Sequence, residues 1–389
     1  MPAASSSANG RRILITDAQD HGPLAAIRCL GDAGFQVSAV ASNRLAPGLW
    51  SRACTSGEVL PPPTETDPFI AGLARIISRD HPAALVPGTD EALYAVSRYR
   101  DRLGSAVALG LPDHAEVQRA LDKTCLAQAA RAVGLAVPES EICTHPDEAV
   151  RAARGFGFPV LTKPMTAVTE VEGGLTRRPA CLAVDEADLR DQVRLLGKCI
   201  VQRRIAGQVL SMAGVTTDRG LICSVFARHH RTWPPAAGMA SFVETIEPSP
   251  GLTERVDALV QALGWRGLWQ LQFIERSDGQ LHAIDFNPRP YGCMGVAAAA
   301  GVALVANWCA WLLGDSPRPA AARAGVRWRM EDTDARHVLW QLRHRHGGVA
   351  ARALSGTATT HAYFRARDPL PLLIRTLDLA RVNLRRRFG

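Results

Sequence analysis

Asp285, Asn287 and Arg289 occupy alternate positions of one short stretch, with Gln272 upstream of them. Oxygen-bearing side chains in such a set suit Mg²⁺, a hard cation that takes few protein ligands and keeps positions for water and phosphate oxygens. Side chains alternate along a strand, so Asp285 and Asn287 share a face. Gln272 joins them only if its own segment pairs with theirs. The sequence offers that pairing: apolar-rich runs at Leu271–Glu275 and Leu281–Phe286 flank Ser277-Asp278-Gly279, a hairpin turn signal. Gln272, Asp285 and Asn287 are therefore the candidate metal ligands, with Glu275 a fallback that parity turns to the other face. Arg289 adds a planar fork of donors for a phosphate or carboxylate. An ordinary exposed hairpin can end in the same residues, so spacing alone leaves both readings open.

The elements that must carry such a site begin with a small doubly wound α/β unit over residues 11–115. Strands are expected at Ile13–Ile15, Gln36–Val40 and Ala84–Pro87, with helices at Pro23–Ala33 and from Thr89-Asp90-Glu91 through Arg102. No G-x-G-x-x-G follows the first strand, which speaks against a dinucleotide site. The loops Asp17–Gly22 and Gly88–Glu91, at strand carboxyl ends, suit a substrate instead. Beyond them a helix opens at Asp122 with Lys123 in its first turn, and an apolar strand ends at Lys163-Pro164. A loop, Thr166–Arg178, bears Gly173-Gly174. An amphipathic helix covers Asp185–Leu196, and the strand Cys199–Gln202 runs into Arg203-Arg204-Ile205. A further helix spans Thr253–Leu263, with Gly264 as its stop.

The chain has 389 residues, 47% of them hydrophobic, enough for a large core and two or three domains. Its formal charge of +8 comes mainly from scattered Arg, with a cluster at Arg381, Arg385, Arg386 and Arg387 that reads as a solvated helix end. No aromatic-interleaved basic stripe appears, so no nucleic-acid partner is expected. The nine cysteines form no metal-type CxxC pair and are expected as buried free thiols in a reducing, cytoplasmic setting. Met1–Gly10 does not resemble a signal peptide. Gly295–Gly314 is uncharged and long enough to span a membrane, but it is Ala-rich, contains Asn307 and lacks basic flanks, so a buried helix is expected there. No Ser/His/Asp or Cys/His constellation is evident.

Gln272 with Asp285-Phe286-Asn287-Pro288-Arg289 resembles the metal-binding hairpin of ATP-grasp enzymes, whose usual form is acid-x-Asn-Pro-Arg. Arg231–Gly238 and Ala262–Gly267 resemble the predicted carboligase branch that includes bacterial D-aspartate ligases. An amide at the first metal position also occurs in carbamoyl-phosphate synthase-like relatives. The resemblance runs from about Ile13 to Asp315. It implies an α/β ATP-grasp fold, two α+β lobes sandwiching ATP, over residues 116–315. A pre-ATP-grasp domain at 11–115 precedes it, and an unassigned extension at 316–389 follows.

The resemblance further implies ATP and Mg²⁺ as cofactors, a carboxylate and an amine as small-molecule substrates, and compatibility with a homodimer. Lys123 and Lys163 would hold phosphates as mobile point charges. Gly173 and Gly174 would sit in a lid over them, beside Arg177 and Arg178, while Gln202, Arg203 and Ile205 would meet the adenosine. Arg289 and Lys163 would serve the reaction itself: attack of a carboxylate on the γ-phosphate, then displacement by the amine. Gln202, Val209 and Gln272 stand where the family usually has acids. Those departures keep a second outcome open, a nucleotide-binding protein with lost or different turnover.

Overall fold

The computed structural model describes residues 10–235, 238–344 and 358–388. Uninterrupted apolar triplets make the buried strands of the first domain. Arg12–Ile15 lies between Gln36–Ala41 and Ala84–Val86, and Cys54–Val59 completes a four-stranded parallel sheet. Both faces of a parallel sheet need cover. Helix His21–Asp32 supplies one, and helices Thr66–Asp80 and Asp90–Arg98 the other. The strand at 54–59 and the helix at 66–80 add to the elements expected from sequence. The helix that opens at Thr89 is capped by that residue, whose hydroxyl accepts from Ala92 N, but it stops at Arg98 and resumes for one turn at Arg100–Leu103.

The next unit is a small lobe. Its antiparallel sheet runs Ser140–Cys143, Cys199–Arg203, Val160–Pro164, Cys181–Ala183, with helices Pro146–Phe156 and Glu186–Leu196 packed on it. Val150, Ala153, Val160, Leu189, Val193 and Val201 form a core separate from the rest of the molecule.

The large lobe is built on a seven-stranded sheet. Its order is Leu281–Asn287, Gly267–Glu275, Gln208–Thr217, Gly220–Trp233, Met239–Ile246, Arg327–Arg329, Thr360–His361. The expected boundary at residue 315 therefore does not divide the structure. Arg327–Arg329 pairs with Met239–Ile246, and Tyr363 is buried in the core shared by the first domain and the large lobe. Arg28 of the first domain binds Asp368 Oδ2 at 2.8 Å and the carbonyls of Ala362 and Tyr363 at 3.0 and 2.7 Å, all buried. The apolar run at 295–314 forms two helices, Gly295–Ala299 and Leu304–Leu312, each with a buried face, parted near Gly301 at φ +97°. Among the described residues no helix is long and apolar enough to cross a membrane.

Candidate functional site

The hairpin pairs as its turn signal requires. Gln272 lies opposite Asp285, and Gln270 opposite Asn287. The pairing skips Ile284, a bulge that adds one residue to the outer strand. The bulge absorbs the extra residue, so Ala283 packs inward with Phe273 although simple alternation would place it with Asp285. Asn287 Nδ2 donates to Gln270 Oε1 at 3.3 Å and to Asp285 Oδ2 at 3.4 Å.

Whether these residues fit a divalent cation rests on their donors. Asp285 supplies a carboxylate, and Gln270, Gln272 and Asn287 supply amide oxygens, a hard-oxygen set suited to Mg²⁺. Among the described residues no cluster of three or more His, Cys, Asp or Glu could hold a metal unaided. Asn287 Oδ1 is moreover engaged by Arg289 Nη2 at 2.9 Å. The set fits a cation that brings most of its ligands with it.

Lys163 ends the central small-lobe strand and reaches across to the hairpin, where its Nζ donates to the Ile284 carbonyl at 3.4 Å. Burial pushes its ammonium down to about 8; nearby Asp285 opposes the shift and Lys123 adds to it. Lys123 opens helix Lys123–Ala132, whose first turn is capped by Asp122 Oδ1, accepting from Thr124 N at 2.6 Å. Both lysines line a cavity of about 200 Å³ between the lobes, with Gln202, Ile200, Val137 and Ile284 around it. Arg203 and Ile205 do not line it. Arg203 turns outward to Glu139 at 2.9 Å and over the Phe156 ring.

A second cavity of about 340 Å³ adjoins the metal hairpin. The first domain closes it with the two loops at its strand ends, through Asp20, His21 and Gly88–Glu91. His229 reaches it from the large lobe, with Nε2 2.9 Å from Ser211 Oγ; burial drives this imidazole down to about 4, so it is neutral near pH 7. Arg289 lines this cavity but its fork is already occupied. Nε and Nη2 donate to the two Asp90 oxygens at 2.8 and 3.0 Å, and Nη1 to the Pro290 carbonyl at 3.0 Å. The fork that the sequence offers to a phosphate or carboxylate is held in this structure by a carboxylate of the first domain. Arg231, in the stretch that carries the carboligase resemblance, pairs with Asp334 at 2.6 and 2.9 Å and stacks on Phe242.

The loop expected as a glycine lid is a hairpin, Thr169–Val171 with Gly174–Thr176, turning at Gly173 with φ +82°. It docks on the first domain. Leu175 N donates to the Thr64 carbonyl at 3.1 Å, and a Cβ at Gly174 would collide with that same oxygen. Gly173 and Gly174 line neither cavity; Arg177, just beyond, lines the larger one, while Arg178 turns to the Leu195 carbonyl.

Two lobes clasping a lysine-lined cavity, with a metal-type hairpin on one wall, match known proteins. Residues 198–333 match the family model described as ATP-grasp in the biosynthetic pathway with Ter operon. The fold aligns with N5-carboxyaminoimidazole synthetase from Staphylococcus aureus complexed with ADP, at TM-score 0.63 and 12% identity over 83% of this chain and 82% of that one. The chain has the ATP-grasp fold. An L-amino acid ligase from Bacillus licheniformis gives TM-score 0.59 and 12% identity, over 78% and 74% of the two chains. In sequence, 167 residues are 28% identical to the carbamoyl phosphate synthase arginine-specific large chain of Geobacillus stearothermophilus. That match covers 40% of this chain but only 16% of the relative's length.

Sequence reasoning did not single out Gln270, Asp90 or His229 as functional candidates. Gln270 was within reach, since it stands two residues before Gln272 and so shares its face. Asp90 pairs with a residue 199 positions away, for which no local pattern exists.

Proposed function

We propose that this ATP-grasp protein is an ATP-dependent ligase that joins a carboxylate to an amine through an acyl phosphate, releasing ADP and phosphate. The observation that carries the reading is Lys163. It is a buried ammonium beside Asp285, at the seam between a cavity with adenosine-type walls and a larger one beside the metal hairpin. The likeness in fold to an L-amino acid ligase, and to a synthetase complexed with ADP, supports it.

Lys123 and Lys163 hold the phosphates, and Gln202 meets the adenosine by an amide hydrogen bond. Asp285, Asn287 and Gln272 would hold Mg²⁺, which when bound neutralises triphosphate charge. Gln270 steadies Asn287 from the neighbouring strand. The reacting carboxylate and amine occupy the larger cavity, one wall of which the first domain supplies. The chain's contribution is positioning and charge, with no covalent nucleophile required of it.

The test is ADP and phosphate release with Mg²⁺-ATP across pools of amino acids and small carboxylic acids. Release that needs one acid and one amine together, with a product one water lighter than their sum, is the expected result. Asp285→Asn should lower that turnover by about 10²–10³-fold. A second reading, a nucleotide binder without turnover, draws on the engaged oxygen of Asn287. It predicts tight Mg²⁺-nucleotide binding with no release under any pool.

A further inference from the structure

Asp90 belongs to the first domain, yet its carboxylate serves two other parts of the chain. Arg289, immediately after the metal hairpin, takes both of its oxygens. Arg177, just beyond the docked hairpin at 169–176, stands 3.8 Å from Oδ2. The Asp90 side chain is only 4% exposed, whereas that of Arg177 is 55% exposed. Burial pushes the Asp90 carboxyl up, but Arg289, Arg177 and Lys123 outweigh it and hold it below the usual carboxylate range.

The loop that presents Asp90 is fixed from within its own domain. Gly88 N donates to Thr16 Oγ1 at 2.9 Å, and Thr89 Oγ1 donates to Asp17 at 3.2 Å while capping the helix. The carboxylate is therefore the stationary member, and the two guanidinium groups come to it. Arg289 has its donors committed, and one of them sets the amide of Asn287. Arg177 makes a longer, single-sided contact at the cavity wall, a geometry in which an entering anion can compete for it.

We propose that Asp90 is a positioning residue: it fixes Arg289, through Arg289 the orientation of Asn287, and it holds Arg177 at the wall of the larger cavity. The first domain thereby sets the geometry of the metal hairpin and of the segment that follows the docked hairpin together. The consequence for nucleotide binding rests on the ligase reading; the coupling of the segments does not. Without the Asp90 charge, Arg289 turns toward Asp285, which already favours its charged form, and there it competes with the cation.

Full-length Asp90→Asn and Asp90→Glu separate the two parts. Hydrogen exchange in the absence of nucleotide should quicken at least 10-fold at residues 169–178 and 285–292 in Asp90→Asn, with Asp90→Glu retaining most of the protection. Calorimetry with ADP should show a several-fold higher half-saturating Mg²⁺ concentration in Asp90→Asn, restored in Asp90→Glu. Unchanged exchange in both segments overturns the assignment, whatever the nucleotide result. Wild-type protein that binds no Mg²⁺-nucleotide overturns the ligase reading, while exchange still decides Asp90. Should Asp90→Asn fail to fold, Arg177→Gln carries the test: faster exchange at 169–178 and none at 285–292 is expected, and no change at 169–178 overturns it.

Discussion

Lysine is scarce in this chain, confined to Lys123, Lys163 and Lys198, and the first two line the cavity between the lobes while the third lies exposed elsewhere. In a chain that uses arginine almost everywhere, the choice of a compact ammonium has a chemical consequence: it can lose its charge. Lys163 does so near pH 8 when folded, against 10.5 for an ordinary lysine. Between those values the unfolded chain binds more protons than the folded one, so this residue's contribution to stability rises with pH. Phosphate affinity moves the other way. From pH 7 to 9.5 the Kd for Mg²⁺-ATP should rise roughly 10-fold as the ammonium is lost. Parallel titrations of Kd and Tm check this, and Lys163→Gln should flatten both curves. Arg289 marks the limit of reading residues from a motif. Its position after Asn-Pro was legible; that its donors were taken by a distant carboxylate was not.

At the scale of elements, legibility followed periodicity. The hairpin, the capped helix at Asp122 and the strand ending at Lys163 all announce themselves by turn, cap or apolar run. Helix Thr66–Asp80 is legible too in the spacing of Phe69, Ile70, Leu73, Ile76 and Ile77, although it is missing from the expected elements. Strand Cys54–Val59 is not: it is a polar edge, with Ser56 and Gly57 at its centre, and only its neighbour defines it. The glycine-bearing loop shows tertiary contact deciding what sequence leaves open. Gly173 permits the turn, but Gly174 is required by the Thr64 carbonyl, which leaves no room for a side chain. Gly174→Ala should overpack this contact at a cost of about 1–3 kcal/mol. Limited proteolysis should then cut within 169–178 several-fold faster, with the small-lobe core intact.

For the whole molecule, the main revision concerns the carboxy-terminal residues. Composition leaves 316–389 an unassigned extension, because Pro, Ala and Arg carry little periodicity. In the structure, Ala362, Tyr363 and Asp368 fasten the first domain to the large lobe. Arg28 and Asp368 are both buried, and Ser51 Oγ and Arg52 N also donate to that carboxylate, at 2.7 and 2.9 Å. Arg28→Ala leaves Asp368 buried without its cation and should destabilise the fold by about 3–5 kcal/mol, read by urea unfolding. The small lobe has a core of its own and no part in this fastening. The molecule is thus one large body and one small one, with the lysine-lined cavity along the seam.

The bulge at Ile284 bears on how this strand tolerates insertion and deletion. A chain lacking Ile284 would close the ladder without a gap, with Ala283 still opposite Phe273 and Asp285 still opposite Gln272. Pairing alone therefore gives no reason for the residue. What it adds is a carbonyl that the Lys163 ammonium meets across the seam. Deleting Ile284 should therefore leave the ladder intact while withdrawing from the seam the carbonyl that Lys163 meets.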